Sequence, residues 1–441
     1  MLQTEQNTHY KHPDCLRQRA AHCISIGMTQ TPTTVRNGPG FAEFVCLIAI
    51  MMALNALAID AMLPALPAIG ADLGIANENS RQWIITAYLL GFGVTQLIYG
   101  PLSDRFGRKP VLLTGVGIYV AFSVVAAFSH TFAMLLLARI GMGIGVAATR
   151  VLAVSIVRDR YEGRTMARVM SLSFLVFLGV PILAPTVGQL VLLVGPWQWI
   201  FWVFALFGGS FLLWAAIRLP ETLHPEDRRA IEAGPIFDAF RQALTNRQAM
   251  GYTLAMTAIV GGLFGFINSS QQIFFDVFKA PHLFTTVFAL VAGGIAISSL
   301  INSHLVERLG SRLISHTALT GFIVFSFVHA AIALAGHDTI WTFSILQGCK
   351  MFCFGLVAGN FGSMAMEPMG HIAGTASSTQ GFISTVIGAL AGFTIGQFFN
   401  GTTVPLTSGF AALSMVALLL VLWAEKGKLF KARHAAPAHH T

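Results

Sequence analysis

Gly100-Pro-Leu-Ser-Asp-Arg-Phe-Gly-Arg-Lys109 separates two long apolar runs, and a degenerate copy, Ser303-His-Leu-Val-Glu-Arg-Leu-Gly-Ser-Arg312, separates two more. Leu102 and Leu305, Arg105 and Arg308, and Gly107 and Gly310 are identical, and Asp104/Glu307 and Lys109/Arg312 keep their charge. One polar loop at corresponding places in two halves implies duplication. Gly100 and Gly107 permit a tight turn between closely packed helices. Asp104 can sit near helix N-termini and Arg partners, and Gly100, Asp104, Arg105, Gly107 and Arg108 together would form a cytoplasmic latch. A solvated turn that only sets topology is the alternative.

Outward from these loops, stretches long enough to cross a bilayer fall at 43–69, 82–101, 110–129, 131–157, 168–194, 197–218, 248–275, 283–303, 312–335, 339–363, 371–399 and 405–424. The longest polar break divides the twelve six and six. The expected fold is an all-α membrane protein. A polar, disordered leader (1–40) precedes a six-helix half (41–219), a linker (220–247), a second six-helix half (248–424) and a tail (425–441). Repeats that meet at the membrane midplane are a transporter architecture. Composition agrees: 55% of residues are hydrophobic and 10% charged, against about 25% charged in soluble domains. Soluble enzymes, disordered chains and nucleic-acid binders are excluded.

The net charge of +8 reflects topology. With the N-terminus inside, 22 of the 27 Lys and Arg fall in cytoplasmic segments and two, Arg81 and Lys279, in outer loops; this places both termini in the cytoplasm. Arg139, Arg150 and Lys350 fall inside spans. Residues 1–40 lack an apolar core of the signal-peptide kind, and Met28 is an alternative start. Cys15, Cys23, Cys46, Cys349 and Cys353 show no disulfide or zinc spacing. His329 reads as a packed neutral histidine.

The loop meets every position of the major facilitator signature G-x-L-[SAD]-D-R-x-G-[RK]-[RK]. Three segments narrow the resemblance. Asp60-Ala-Met-Leu-Pro64-Ala-Leu-Pro67 resembles the D-x-x-x-P-x-x-P of drug:proton antiporters. Arg139 with Gly141, Gly143 and Gly145 resembles their fourth-span pattern. Pro181 with Ala184-Pro185-Thr-Val-Gly188-Gln189 partly matches their fifth-span motif, Ala184 and Gln189 replacing glycines. With Ser155-Ile-Val-Arg158-Asp159-Arg160 and Leu219-Pro-Glu-Thr-Leu223, the chain is similar to the Bcr/CflA drug-resistance transporters over residues 41–424, more sharply in its first half. The resemblance implies a monomeric, proton-coupled exporter in the bacterial inner membrane. It would carry a small-molecule substrate, have lipid around it, and need no cofactor beyond the coupling proton.

Ionisable groups inside spans cost about 2.5–3.5 kcal/mol each on insertion scales and point to function. Helix rise puts Asp60 and Arg139 roughly 12–14 Å below one surface and Lys350 about 16 Å, so the three can meet if their helices face one another. Asp60 would carry the proton and Arg139 would tune it or orient substrate; a structural ion pair is the alternative. Lys350 is a substrate-facing charge, a counterion or a snorkelling side chain. Arg150 suits a gate or loop contact. Tyr88, Phe264, Phe266 and Asn268 are further cavity candidates. The resemblance implies that Pro181, Ala184, Pro185 and Gly188 serve antiport and limit leak; simple helix packing is the alternative. The Gly141/Gly143/Gly145 run reads as small-residue packing. No GxxxxGK[ST], HExxH or GxSxG occurs, which leaves a facilitator for a metabolite or nutrient as the nearest rival reading.

Overall fold

The computed structural model describes residues 38–228 and 233–430. The leader up to residue 37, with Met28, Cys15 and Cys23, and the tail beyond Phe430 lie outside them. Every expected span is present, each a helix long and apolar enough to cross a bilayer. Spans 1–6 are Phe41–Asp72, Glu78–Phe106, Arg108–Ala127, Phe132–Arg160, Arg168–Val194 and Gln198–Arg218. Spans 7–12 are Arg247–Val277, Pro281–Leu309, Ser311–Leu334, Ile340–Gly370, Ala373–Gln397 and Val404–Ala424. No strand occurs among the described residues. With twelve spans, Phe41 and Phe430 lie on one side, called here the terminal face.

The two halves repeat one packing scheme. Span 4 packs on spans 1, 2 and 3, and span 10 packs on spans 7, 8 and 9. Two seams join the halves, span 2 against span 11 and span 5 against span 8. Because lipid gives helices no hydrophobic drive to associate, close approach of backbones supplies the cohesion. Span 4 shows this: a Cβ on Gly143 would collide with the backbone oxygen of Tyr88 in span 2.

Gly107 and Gly310 both adopt positive φ, +99° and +79°, so the repeated loop turns the same way in both halves. Gly100 does not contribute to the turn; it lies inside the helix Trp83–Phe106. The linker contains a short helical turn, Pro225–Asp227, and a helix, Ala233–Thr245, that packs on spans 7 and 11.

Candidate functional site

Span 1 is broken at Asp60. Pro64 and Pro67 lack the N–H groups that would bond four residues back, the first of them to the Asp60 carbonyl. The helix Phe41–Asp60 therefore ends at Asp60, and a short 3₁₀ turn, Leu63–Ala65, leads into Leu66–Asp72. Asp60 is buried, with 6% of its surface exposed, and makes no hydrogen bond or ion pair with any described residue. Against the break lies span 5, whose helix runs on through Pro181 and Pro185. A Cβ on Gly188 would collide with the Ala61 carbonyl oxygen and lie 3.1 Å from Pro64 Cγ. The span-1 break and the span-5 motif thus form one contact.

Arg139 is fully buried on span 4. Its Nε donates to the Ile84 carbonyl at 3.0 Å, and its guanidinium lies 4.4 Å from the Tyr88 ring centroid, while Nη1 and Nη2 have no hydrogen-bond partner among the described residues. Tyr88 Oη donates to Asn55 Oδ1 at 2.9 Å. The structure does not close an Asp60–Arg139 ion pair. It places Tyr88 between span 4 and span 1, bonded to Asn55, five residues before Asp60.

Arg150 stands eleven residues beyond Arg139, three helical turns, and so on the same face of span 4. Yet it is exposed where Arg139 is buried. The face that spans 1 and 2 cover at Arg139 is open at Arg150, about 15 Å in from the end of the helix. Of the expected gate or loop contact, no hydrogen bond or ion pair from Arg150 to a loop occurs among the described residues. Val154 and Arg158 continue the exposed stripe, and Gly359, Ser363 and Glu367 form a matching one on span 10.

Lys350 makes no ion pair with Asp60 among the described residues. It is fully buried in the second half, its Nζ 4.0 Å from the Phe410 ring centroid. Phe264 is half-buried and packs against Gly392 of span 11, while Phe266 is buried beside Phe288 at 5.7 Å. Asn268 is buried, and neither of its side-chain polar atoms has a partner.

At the terminal face the expected latch closes within the first half. Arg108, 4% exposed, donates from Nε to Asp159 Oδ2 at 3.0 Å and from Nη1 to Ser103 Oγ at 2.6 Å and Asp104 Oδ1 at 2.5 Å. Its backbone N–H and that of Lys109 donate to the Glu221 carboxylate at 2.9 and 3.2 Å. Arg105 is exposed, its guanidinium 5.4 Å from the Phe106 ring centroid. The second half repeats the device: Arg312 bonds Glu425 and Glu367 at 3.0 and 2.9 Å, and Tyr252 Oη donates to Glu425 at 2.7 Å. Arg108→Gln is expected to cost about 2–3 kcal/mol, below the ~3–5 of a fully buried pair because Asp104 is part-exposed. Thermal unfolding of the purified protein checks this, with Lys109→Gln as a nearly silent control.

One feature went unread in the sequence. Opposite the terminal face, four amides clasp the halves together. Asn79 Nδ2 donates to the carbonyls of Gln397 and Phe399 at 3.1 and 3.0 Å. Gln82 Nε2 donates to Gln272 Oε1 at 2.8 Å and to the Gly396 carbonyl at 3.1 Å. Gln272 Nε2 donates to Asn79 Oδ1, and Gln397 Nε2 to the Asn79 carbonyl, each at 2.8 Å. The one legible signal was a set of amide side chains at the ends of spans 2, 7 and 11.

Comparison with known proteins agrees with this architecture. The Major Facilitator Superfamily model matches residues 48–393. An uncharacterised MFS-type transporter of Bacillus subtilis, YdgK, is 31% identical over 81% of this chain and 89% of its own. The multidrug resistance protein MdtL of Escherichia coli is 30% identical over 90% of this chain and 98% of its own. Among solved structures, the xylose transporter XylE from E. coli superposes with a TM-score of 0.67 at 12% identity, covering 90% of this chain and 99% of its own. The human organic anion transporter MFSD10 gives 0.66 at 17%, covering 88% and 100%. Twelve spans in two repeated halves, a duplicated Gly-turn loop and these matches have one reading: the chain belongs to the major facilitator superfamily and is a membrane transporter, not an enzyme.

Proposed function

We propose that this transporter is a monomeric, proton-coupled exporter of drug-like molecules in the bacterial inner membrane, with the terminal face in the cytoplasm. The observation that carries the proposal is Asp60: a buried carboxylate without a partner, at a helix break, in contact through Ala61 and Pro64 with Gly188 of span 5. Such a carboxylate can bind and release a proton as the break rearranges, and the span-5 contact would couple that exchange to the movement of the halves. The concentration of Lys and Arg at the terminal face supports the orientation. The amide clasp and the open stripes on spans 4 and 10 support a state loaded from the cytoplasm. The substrate class draws on the similarity to a multidrug resistance protein over nine-tenths of the chain.

The test is drug susceptibility in an efflux-deficient bacterial host across a broad compound panel. Wild type is expected to raise resistance to some compounds, and Asp60→Asn to return it to the empty-vector level at equal membrane abundance. Resistance untouched by Asp60→Asn would remove Asp60 from the coupling step. No resistance from a well-inserted wild type would favour a metabolite transporter instead.

A further inference from the structure

The second half carries an apolar furrow that the Asp60 mechanism does not use. Spans 8 and 9 both lie against span 10. Span 8 is pressed onto it at Gly355, where a Cβ would collide with Ser298 Oγ, and span 9 at Gly321, where a Cβ would lie 3.2 Å from Cys353 Sγ. Alongside these contacts remains a cavity of about 890 Å³. It is walled by Leu305 and Leu309 of span 8 and Leu313 and Phe325 of span 9, and floored by Phe352 and Leu356 of span 10. Leu309 and Leu313 are exposed, as is Ile345 at the other end of the lining, so the furrow opens to the bilayer. Small residues keep it clear: Gly294 and Gly348 line it, and a Cβ on Gly348 would meet nothing within 4 Å.

The furrow has the length of a hydrocarbon chain. Its lining runs from Leu313 to Phe325 on span 9 and from Ser344 to Leu356 on span 10, about 18 Å each at helical rise. Leu305, Leu309 and Leu313 put one end at the terminal face, beside the Gly310 turn. One leaflet of hydrocarbon is about 15 Å deep, half of a ~30 Å core, so an acyl chain fits along the furrow from its terminal-face end. Water is a poor occupant, because a buried water needs about two to four polar partners. The lining offers two thiols and the hydroxyls of Thr317 and Ser344, and Ser344 Oγ already donates to the Ile340 carbonyl at 2.5 Å. The terminal-face end is charged. Arg308 stands within one turn of both Leu305 and Leu309, is exposed, and makes no hydrogen bond or ion pair with any described residue. Arg312 is held by Glu367 and Glu425. Glu307 lies about 160° round the helix from both leucines, against about 60° and 100° for Arg308, so the free charge flanking the furrow is positive.

We propose that this furrow binds one anionic phospholipid of the terminal-face leaflet, with an acyl chain along spans 8, 9 and 10 and the headgroup phosphate on Arg308. Bulk lipid is as apolar as the furrow, so no hydrophobic drive favours the site. Residence comes instead from dispersion contact along a preformed groove, whose lining atoms otherwise lack neighbours on one side. The pairing of guanidinium with phosphate, charge-assisted and capable of two parallel hydrogen bonds, adds to it. The bound chain would wedge spans 8 and 9 at a fixed separation on either side of their Gly310 turn. The site follows from membrane embedding and is independent of the cargo.

The experiment counts lipids. The full chain, purified in detergent and stripped of lipid, is titrated with palmitoyl-oleoyl phosphatidylglycerol or phosphatidylcholine, and adducts are resolved by native mass spectrometry. Wild type is expected to keep one phosphatidylglycerol at activation energies that remove the rest, with about fivefold preference over phosphatidylcholine. Gly348→Leu, which fills the furrow, is expected to lose that adduct about fivefold. Arg308→Gln, a surface change that leaves the furrow intact, is expected to keep a single adduct but lose the preference for phosphatidylglycerol. Leu290→Phe, on an exposed part of span 8 outside the lining, is expected to match wild type. Equal retention by wild type and Gly348→Leu, an unchanged preference in Arg308→Gln, or a second copy of the chain bound in place of lipid overturns the proposal.

Discussion

Gly188→Ala is expected to abolish transport while leaving membrane abundance within about twofold of wild type. The added Cβ meets the carbonyl oxygen of Ala61, a backbone atom that cannot rotate away, and the ring of Pro64. Overpacking of this kind costs about 1–3 kcal/mol, and against a rigid backbone the upper part of that range applies. A penalty of about 2–3 kcal/mol felt in one of two conformations displaces their ratio by roughly 30- to 150-fold. The variant would therefore fold and insert but hardly populate the state with the break pressed against span 5. Gly179→Ala, on the same helix, is the control, because a Cβ there meets nothing within 4 Å. Drug resistance measured for both variants decides it; equal loss in both would trace the defect to the helix and not to the Gly188 contact.

Covalent closure of the amide clasp is the second large effect. Asn79 and Gln397 hydrogen-bond each other's backbone carbonyl at 3.1 and 2.8 Å, which brings the ends of spans 2 and 11 close enough to cross-link. In a background where the five native cysteines are replaced by serine, Asn79→Cys with Gln397→Cys is expected to oxidise readily. Transport should fall at least tenfold and return on reduction with dithiothreitol. A cross-linked protein that transports at the reduced rate would show that the halves need not separate there. Each neutral hydrogen bond contributes only about 0.5–1.5 kcal/mol, so the clasp can hold the far face shut and still release it within a transport cycle.

The fold was legible because bilayer thickness and hydrogen-bond satisfaction leave a polypeptide few ways to cross a membrane. Twelve apolar runs, and a loop repeated at Gly107 and Gly310, therefore determined the architecture directly. The site was legible only in part. Asp60, Arg139 and the Pro/Gly motif of span 5 stood out because charges, prolines and glycines are conspicuous in apolar helices. Their mutual arrangement was not available from depth alone. Asp60 and Arg139 are at matched depth, yet Tyr88 lies between span 4 and span 1, because azimuth about a helix axis depends on packing partners contributed by other helices. Lys350 lies against Phe410 of span 12 for the same reason. Arg150 reads as a gate or loop contact by its position near the end of span 4, and the structure leaves it exposed there. The amides of the clasp carry no charge and no motif, and they become a unit only when three span ends meet.

The clasp also sets how the transporter relates to the medium it faces. Attraction between ionised groups weakens as salt rises and fails as acids or bases neutralise one partner. Amide pairs have no charge to screen and no proton to lose in any medium a cell survives. A cell moving between dilute and saline, or acidic and alkaline, surroundings would keep the same seal on that face of the transporter.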